Sequence, residues 1–195
     1  MNRREAIKKT AFLMGGTLSA AAISGVLSGC QPTPQGIDWE PLFLTREQGE
    51  TVAAIADRII PRTDTPGARD VGVPEFIDLM LKDNYDPDDQ QRFRSELTNF
   101  EASVMEKHKK PFAALTPEEQ DAILTQLDQE AYETTHRDGY RAKTDKPLFT
   151  MIKELTLLGF FTSEAGATEV LQYDPVPGQY NGCVPLAEVG KTWAT

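Results

Sequence analysis

Cysteine and histidine are scarce in this chain, with two of each among 195 residues. So few ligands argue against a four-ligand zinc site, a CxxCH haem attachment or a disulfide framework. Positive charge is also in short supply. Twenty Lys and Arg stand against 30 Asp and Glu, a formal net charge of −10. Nucleic acid is therefore a poor partner, because phosphate contacts need clustered basic residues. The glycine-rich patterns GxGxxG and GxxxxGK[ST] are missing, so no dinucleotide or P-loop fingerprint is present. No internal repeat or low-complexity tract appears beyond about residue 38. What is there is 39% hydrophobic and 26% charged, the composition of a folded protein rather than a disordered one. The length allows one domain with extra segments.

Residues 1–29 read as an address rather than part of the fold. Arg3 and Arg4 precede Lys8 and Lys9, and a mildly apolar, glycine-interrupted stretch runs from Ala11 to Leu27. Paired arginines in that setting resemble a twin-arginine (Tat) export signal, although Ala6 stands where Phe is common. Leu27-Ser28-Gly29-Cys30 resembles a lipobox, which makes Cys30 the expected lipidation site after cleavage. A retained transmembrane anchor is the alternative, but the apolar stretch is shorter than the ~20 residues a span needs. Without residues 1–29 the chain keeps 16 basic and 29 acidic residues, a net charge of −13. Anionic head groups repel such a chain, so a lipid tether suits it better than adsorption. Residues 30–40 contain Pro32, Pro34 and Gly36 and read as a spacer, with the folded domain over 41–195.

The domain reads as all-α. A first helix follows Thr45, with Val52, Ile55, Ala56, Ile59 and Ile60 at helical spacing and Pro61 as the stop. Pro74 opens a second, burying Phe76, Ile77, Met80 and Leu81. Asp86-Pro87 caps and opens a third, with Phe93, Leu97, Phe100 and Val104 as its stripe. Thr116-Pro117-Glu118-Glu119 is a capping box for a fourth, which presents Ile123, Leu124, Leu127 and Ala131. Lys146-Pro147 opens a fifth, apolar on nearly every side, which belongs at the centre or at an interface. Ser163 caps a short sixth through Leu171. The expectation is a single irregular helical domain of five to six helices with a long extended C-terminal tail from about residue 174. That tail holds Pro175, Pro177, Pro185, Gly178, Gly182 and Gly190, yet keeps Tyr173, Tyr180 and Trp193. It either packs back over the helices or lies along another protein.

Few residues suggest chemistry. The acidic run Asp83, Asp86, Asp88 and Asp89 lacks the glycine and final glutamate of an EF-hand loop and reads as helix capping. His108 lies in a basic helix C-terminus and His136 beside Arg137 and Asp138, both ordinary solvated settings. Ser163 has no nucleophile-elbow pattern around it. No catalytic residue, cofactor ligand or metal ligand is assigned. With Cys30 lipidated, Cys183 becomes the odd thiol of an exported protein, either buried and unbridged or paired with another chain.

Three stretches carry a resemblance. They are Ala54-Ile55-Ala56-Asp57-Arg58-Ile59-Ile60-Pro61 followed by Thr65-Pro66-Gly67-Ala68 and Gly72-Val73; Gly159-Phe160-Phe161-Thr162-Ser163-Glu164-Ala165-Gly166; and the run from Tyr173 to Cys183. Together they resemble the gluconate 2-dehydrogenase subunit 3 family, over roughly Leu44 to Val184. The resemblance implies a non-catalytic small subunit with no cofactor of its own. It implies a large FAD-containing partner of the glucose-methanol-choline type that oxidises CH-OH groups of a sugar or sugar acid. A cytochrome c subunit with haem c joins some such complexes. The implied role is to stabilise, export and anchor the flavoprotein on the periplasmic side of a bacterial envelope. A flavoprotein acquires FAD before export, and Tat export moves folded cargo.

Two segments are candidates for the partner surface. One is the Pro61 to Val73 loop, with Pro61, Thr65, Pro66 and Gly67, where prolines lower the ordering cost of binding; a rigid helix connection is its alternative. The other runs from Phe161 through Cys183, with Thr162, Glu164, Tyr173, Pro177 and Tyr180 between them. Cys183 is also the candidate for an interchain disulfide. Two rival readings stand beside the subunit: a stand-alone helical envelope lipoprotein that binds or scaffolds, and a cofactor-free enzyme using buried carboxylates.

Overall fold

A computed structural model describes residues 36–138, 146–176, 178–179 and 182–194 of the chain. Arg3, Arg4, Cys30, Pro177 and Tyr180 lie outside the described residues, as do the side chains of 134–138, including His136. The elements are α1 (Arg46–Ile59), α2 (Val73–Asn84), α3 (Pro87–His108), α4 (Pro117–Asp138), α5 (Leu148–Thr162) and the short α6 (Leu186–Val189). Short 3-10 turns cover Arg69–Val71 and Phe112–Ala114, and a π-helical turn covers Gly166–Val170. Among the described residues there is no strand. One isolated parallel bridge pairs Gln172 with Trp193.

Local chemistry sets the helix limits. Thr45 and Gln48 form a reciprocal capping box at the start of α1, and Thr116 and Glu119 do the same for α4, with bonds of 2.9 and 3.3 Å. Pro74 and Pro87 sit in the first turns of α2 and α3, where a missing N–H costs nothing. Asp86 holds the cap position of α3, but its side chain makes no capping bond. Ser163 accepts from the Gly166 N–H at 3.1 Å and so starts the π-helical turn.

The core lies around α5, which packs against α1, α2, α3 and α4. Its Phe149, Met151, Ile152, Leu155 and Phe160 join Val52 and Ile55 of α1, Ile77 and Leu81 of α2, and Phe93 and Leu97 of α3. From α4, Leu124 and Ala131 are buried, while Ile123 and Leu127 are partly so. Gly159 lets α2 approach α5 closely: a Cβ there would lie 2.6 Å from Phe76 Cδ1. Ion pairs tie α4 to its neighbours at the surface. Arg58 of α1 meets Asp121 through two bonds of 2.7 and 2.6 Å, and Lys153 of α5 meets Asp128 at 2.7 Å. Water screens such exposed pairs and they add little, so apolar burial dominates.

Ahead of α1 the chain is irregular yet packed. Ile37, Phe43 and Leu44 are buried, so the packing reaches back into the stretch read as spacer. No described helix is long and apolar enough to cross a membrane.

Candidate partner-binding surface

The central helix has more apolar surface than the bundle can cover. Leu157, Leu158 and Phe161 face solvent, at 39%, 47% and 39% exposure, while Phe160 beside them is buried. Spacings of three and four place these residues on one side of α5. Single exposed leucines are unremarkable, but three large apolar side chains in one strip are characteristic of a contact surface. Phe161 is also held edge-on to Phe160, with ring centroids 5.3 Å apart. A pre-oriented ring loses little freedom on binding. Thr162 closes the strip, its hydroxyl donating to the Leu158 carbonyl at 2.7 Å. Glu164 is exposed just beyond.

The 61–72 loop is an internally bonded connection. Arg62 forms a two-bond ion pair with Asp70, and the Gly67 N–H donates to Asp70 Oδ2 at 2.8 Å. The hydrogen bond from Arg62 holds the Asp70 carboxyl below its usual range, and the Gly67 amide acts in the same direction. Ala68 N–H reaches back to the Ile60 carbonyl at 2.8 Å, and Thr63 N–H meets the Thr65 carbonyl at 3.0 Å. Pro61 is exposed, Thr65 and Pro66 are half-buried, and Gly67 is buried. The loop therefore presents a rigid outer edge rather than a flexible arm. It leads into the end of α2 whose Phe76 meets Gly159, so it lies at the same end of the α2–α5 pair as the exposed strip.

The C-terminal segment turns back on itself. Gln172 N–H donates to the Thr192 carbonyl at 2.8 Å, and Ala194 N–H donates to the Gln172 carbonyl at 2.7 Å. The Gln172 side-chain amide bonds the carbonyls of Val189 and Lys191, and Lys191 Nζ reaches the Glu169 carbonyl at 2.6 Å. These contacts close a neck between residues 172 and 193. The excursion between them carries α6 and shows its large groups to solvent: Tyr173 at 58% and Val176 at 81%, with Trp193 at the neck 49% exposed. Cys183 is exposed on the same excursion.

The candidate residues thus fall on three features rather than one: the loop edge, the α5 strip and the closed excursion. Leu157, Leu158, Gln172 and Trp193 were not singled out from sequence as surface residues. A helical wheel of α5 carries the signal for the first two, since a helix apolar on every side must leave some of it uncovered in a domain this small. A partly open pocket lined by Ile55, Phe100, Leu127, Leu148, Phe149 and Ile152 has room for about 10 Å³, too little for a ligand. No group of three or more metal-ligating side chains occurs among the described residues.

Residues 46–178, about two thirds of the chain, match the family described as gluconate 2-dehydrogenase subunit 3. Neither the curated proteins nor the solved structures give a match. The matched span takes in the loop, all of α5 and the first part of the excursion.

Proposed function

The chain belongs to the gluconate 2-dehydrogenase subunit 3 family, and from that premise we propose that it is a non-catalytic small subunit of an FAD-dependent sugar or sugar-acid dehydrogenase. In this reading it stabilises the large flavoprotein subunit, carries it through Tat export and anchors it at the periplasmic face through a lipid on Cys30. FAD and the oxidised CH-OH substrate belong to the partner, and electrons leave from there, in some assemblies to a cytochrome c. The observation that carries the reading is the uncovered strip Leu157, Leu158 and Phe161 on the family-matched central helix. An apolar strip with an aromatic anchor beside a rigid polar edge has the anatomy of a protein interface. Tyr173, Cys183 and Trp193 extend the contact in this reading, and Cys183 bridges to the partner through a disulfide.

The test is recovery of the tagged full-length chain from detergent-solubilised envelopes, with and without reductant. The expected result is a large subunit that co-purifies with flavin absorbance. Leu158→Ser combined with Phe161→Ser is expected to lower its recovery at least tenfold, the loss typical of a hot-spot pair, while the variant chain stays folded. Release of the partner only under reductant supports the bridge. A chain recovered alone and without flavin overturns the subunit reading in favour of a stand-alone envelope lipoprotein.

A further inference from the structure

Residues 36–44 form neither helix nor strand, and among the described residues they make no backbone–backbone hydrogen bond. They are nevertheless packed down. Ile37, Trp39 and Pro41 lie over Gly49 of α1, where an added Cβ would come within 2.8 Å of Ile37 Cδ1. Where such a segment is buried, as at Ile37, Phe43 and Leu44, its backbone polarity must be satisfied by side chains. One side chain does most of this. Asp78, in the middle of α2 and 1% exposed, accepts from the Leu42 N–H at 2.6 Å, from the Phe43 N–H at 3.1 and 3.3 Å, and from the Leu44 N–H at 2.8 Å. Three successive amides thus converge on one carboxylate.

Two arginines hold the carbonyl side. Arg94 Nη2 donates to the Phe43 carbonyl at 2.7 Å, and its guanidinium carbon lies 3.9 Å over the Phe43 ring. Arg46 Nη2 donates to the Ile37 carbonyl at 2.5 Å. The bonds are charge-assisted, but nearly all of the strap's amide bonding depends on one atom group.

We propose that Asp78 is a single-residue latch, which makes residues 36–44 a strap that opens as a unit ahead of the helical bundle. While latched, residues 36–44 are held against α2. Once open, the strap is a free spacer, and the bundle keeps its core because α1 to α5 are hydrogen-bonded within themselves. The inference stands on the strap's own geometry and does not need a dehydrogenase partner.

Amide-resolved hydrogen exchange on the full chain, measured over low concentrations of denaturant, tests it. In the unaltered protein the Leu42, Phe43 and Leu44 amides are expected to exchange together, with a weaker denaturant dependence than amides in the middle of α5. In Asp78→Asn the same three amides are expected to exchange about 10- to 100-fold faster, the loss of bonds to a charged acceptor. The α5 amides are expected to stay the slower set. Arg94→Ala is expected to give a smaller acceleration, about threefold. Strap amides that share the α5 opening in the unaltered protein, or that show no protection there, overturn the proposal. So does Asp78→Asn with strap exchange unchanged. Should Asp78→Asn fail to fold, the unaltered protein's denaturant dependence decides alone.

Discussion

Two irregular segments flank the helices, and they satisfy their backbones in opposite ways. The strap at 36–44 buries Ile37, Phe43 and Leu44 and delivers three amides to the Asp78 carboxylate. The excursion after Gln172 is closed at its neck and turns Tyr173, Val176 and Trp193 outward. A buried irregular backbone needs an internal acceptor for every donor, and a charge in the right place supplies several at once. An exposed one is served by water, so its side chains remain available for a second protein. The strap is therefore an internal fastening, and the excursion leaves its described large side chains to solvent.

The largest expected effect comes from breaking the fastening. Asp78→Ala leaves three amides without an acceptor and is expected to cost about 3 kcal/mol in urea unfolding. If the strap opens by itself, the loss levels off at the strap's opening free energy, because beyond that point the molecule folds with the strap off. A much larger loss, with a single cooperative transition, would instead make strap and bundle one unit. Next in size is Gly159→Ala, at the junction of the helix that carries the latch and the helix that leads into the excursion. Its Cβ must displace the Phe76 ring, at an expected cost of about 2 kcal/mol. Thermal unfolding reads that directly. Gln172→Ala sits at the neck and is expected to cost about 1 kcal/mol locally through its lost bonds to the Val189 and Lys191 carbonyls. Trp193 fluorescence should change while the main unfolding transition stays put. A large shift in that transition would mean the excursion supports the core after all.

The sequence shows one of these segments more plainly than the other. Helix limits were legible because proline, threonine and glutamate at helix starts act within a few residues: Thr45 as a cap, Thr116 with Glu119, and Pro74 and Pro87 in first turns. The apolar character of α5 on nearly every side left it two places, the centre or an interface, and the structure puts it at the centre. Asp78 left a fainter mark. It occupies a buried position at helical spacing with Pro74, Ile77 and Leu81, which flags a polar group needing partners. Those partners lie 34 to 36 residues upstream in an irregular segment, and no spacing rule reaches them. The Pro61–Val73 loop shows the converse. Its turn residues pointed equally to a rigid connection and to a binding arm. Arg62, Gly67 and Asp70 bind one another, so its contribution to any interface is a fixed edge. The outward face of α5 and the closing of the neck by Gln172 depend on tertiary packing, which residue pattern alone does not encode.

The smallest expected effect tests the same rule from the other side, with a carboxylate given too few donors. Glu101 of α3 is half-buried and accepts one hydroxyl, from Thr51 at 2.7 Å. Burial pushes its carboxyl above the usual range, the nearby Glu47 charge adds to the rise, and the Thr51 bond only partly opposes it. A raised folded value means that the folded state holds the proton more tightly than the unfolded chain does. The group therefore favours folding at low pH, and that advantage is lost as pH rises through the folded value, leaving a penalty at neutral pH. Glu101→Gln keeps an acceptor for Thr51 and removes the charge. It is expected to stabilise the protein at neutral pH by about 0.5 kcal/mol or less, since water screens a half-exposed group. In acid well below the ordinary carboxylate range, where this glutamate is protonated in both the folded and the unfolded chain, the two proteins should converge. Urea midpoints at both pH values decide it. A gain that persists unchanged in acid would mean the substitution acts through packing, and a loss at neutral pH would mean that one hydroxyl is donor enough for this carboxylate.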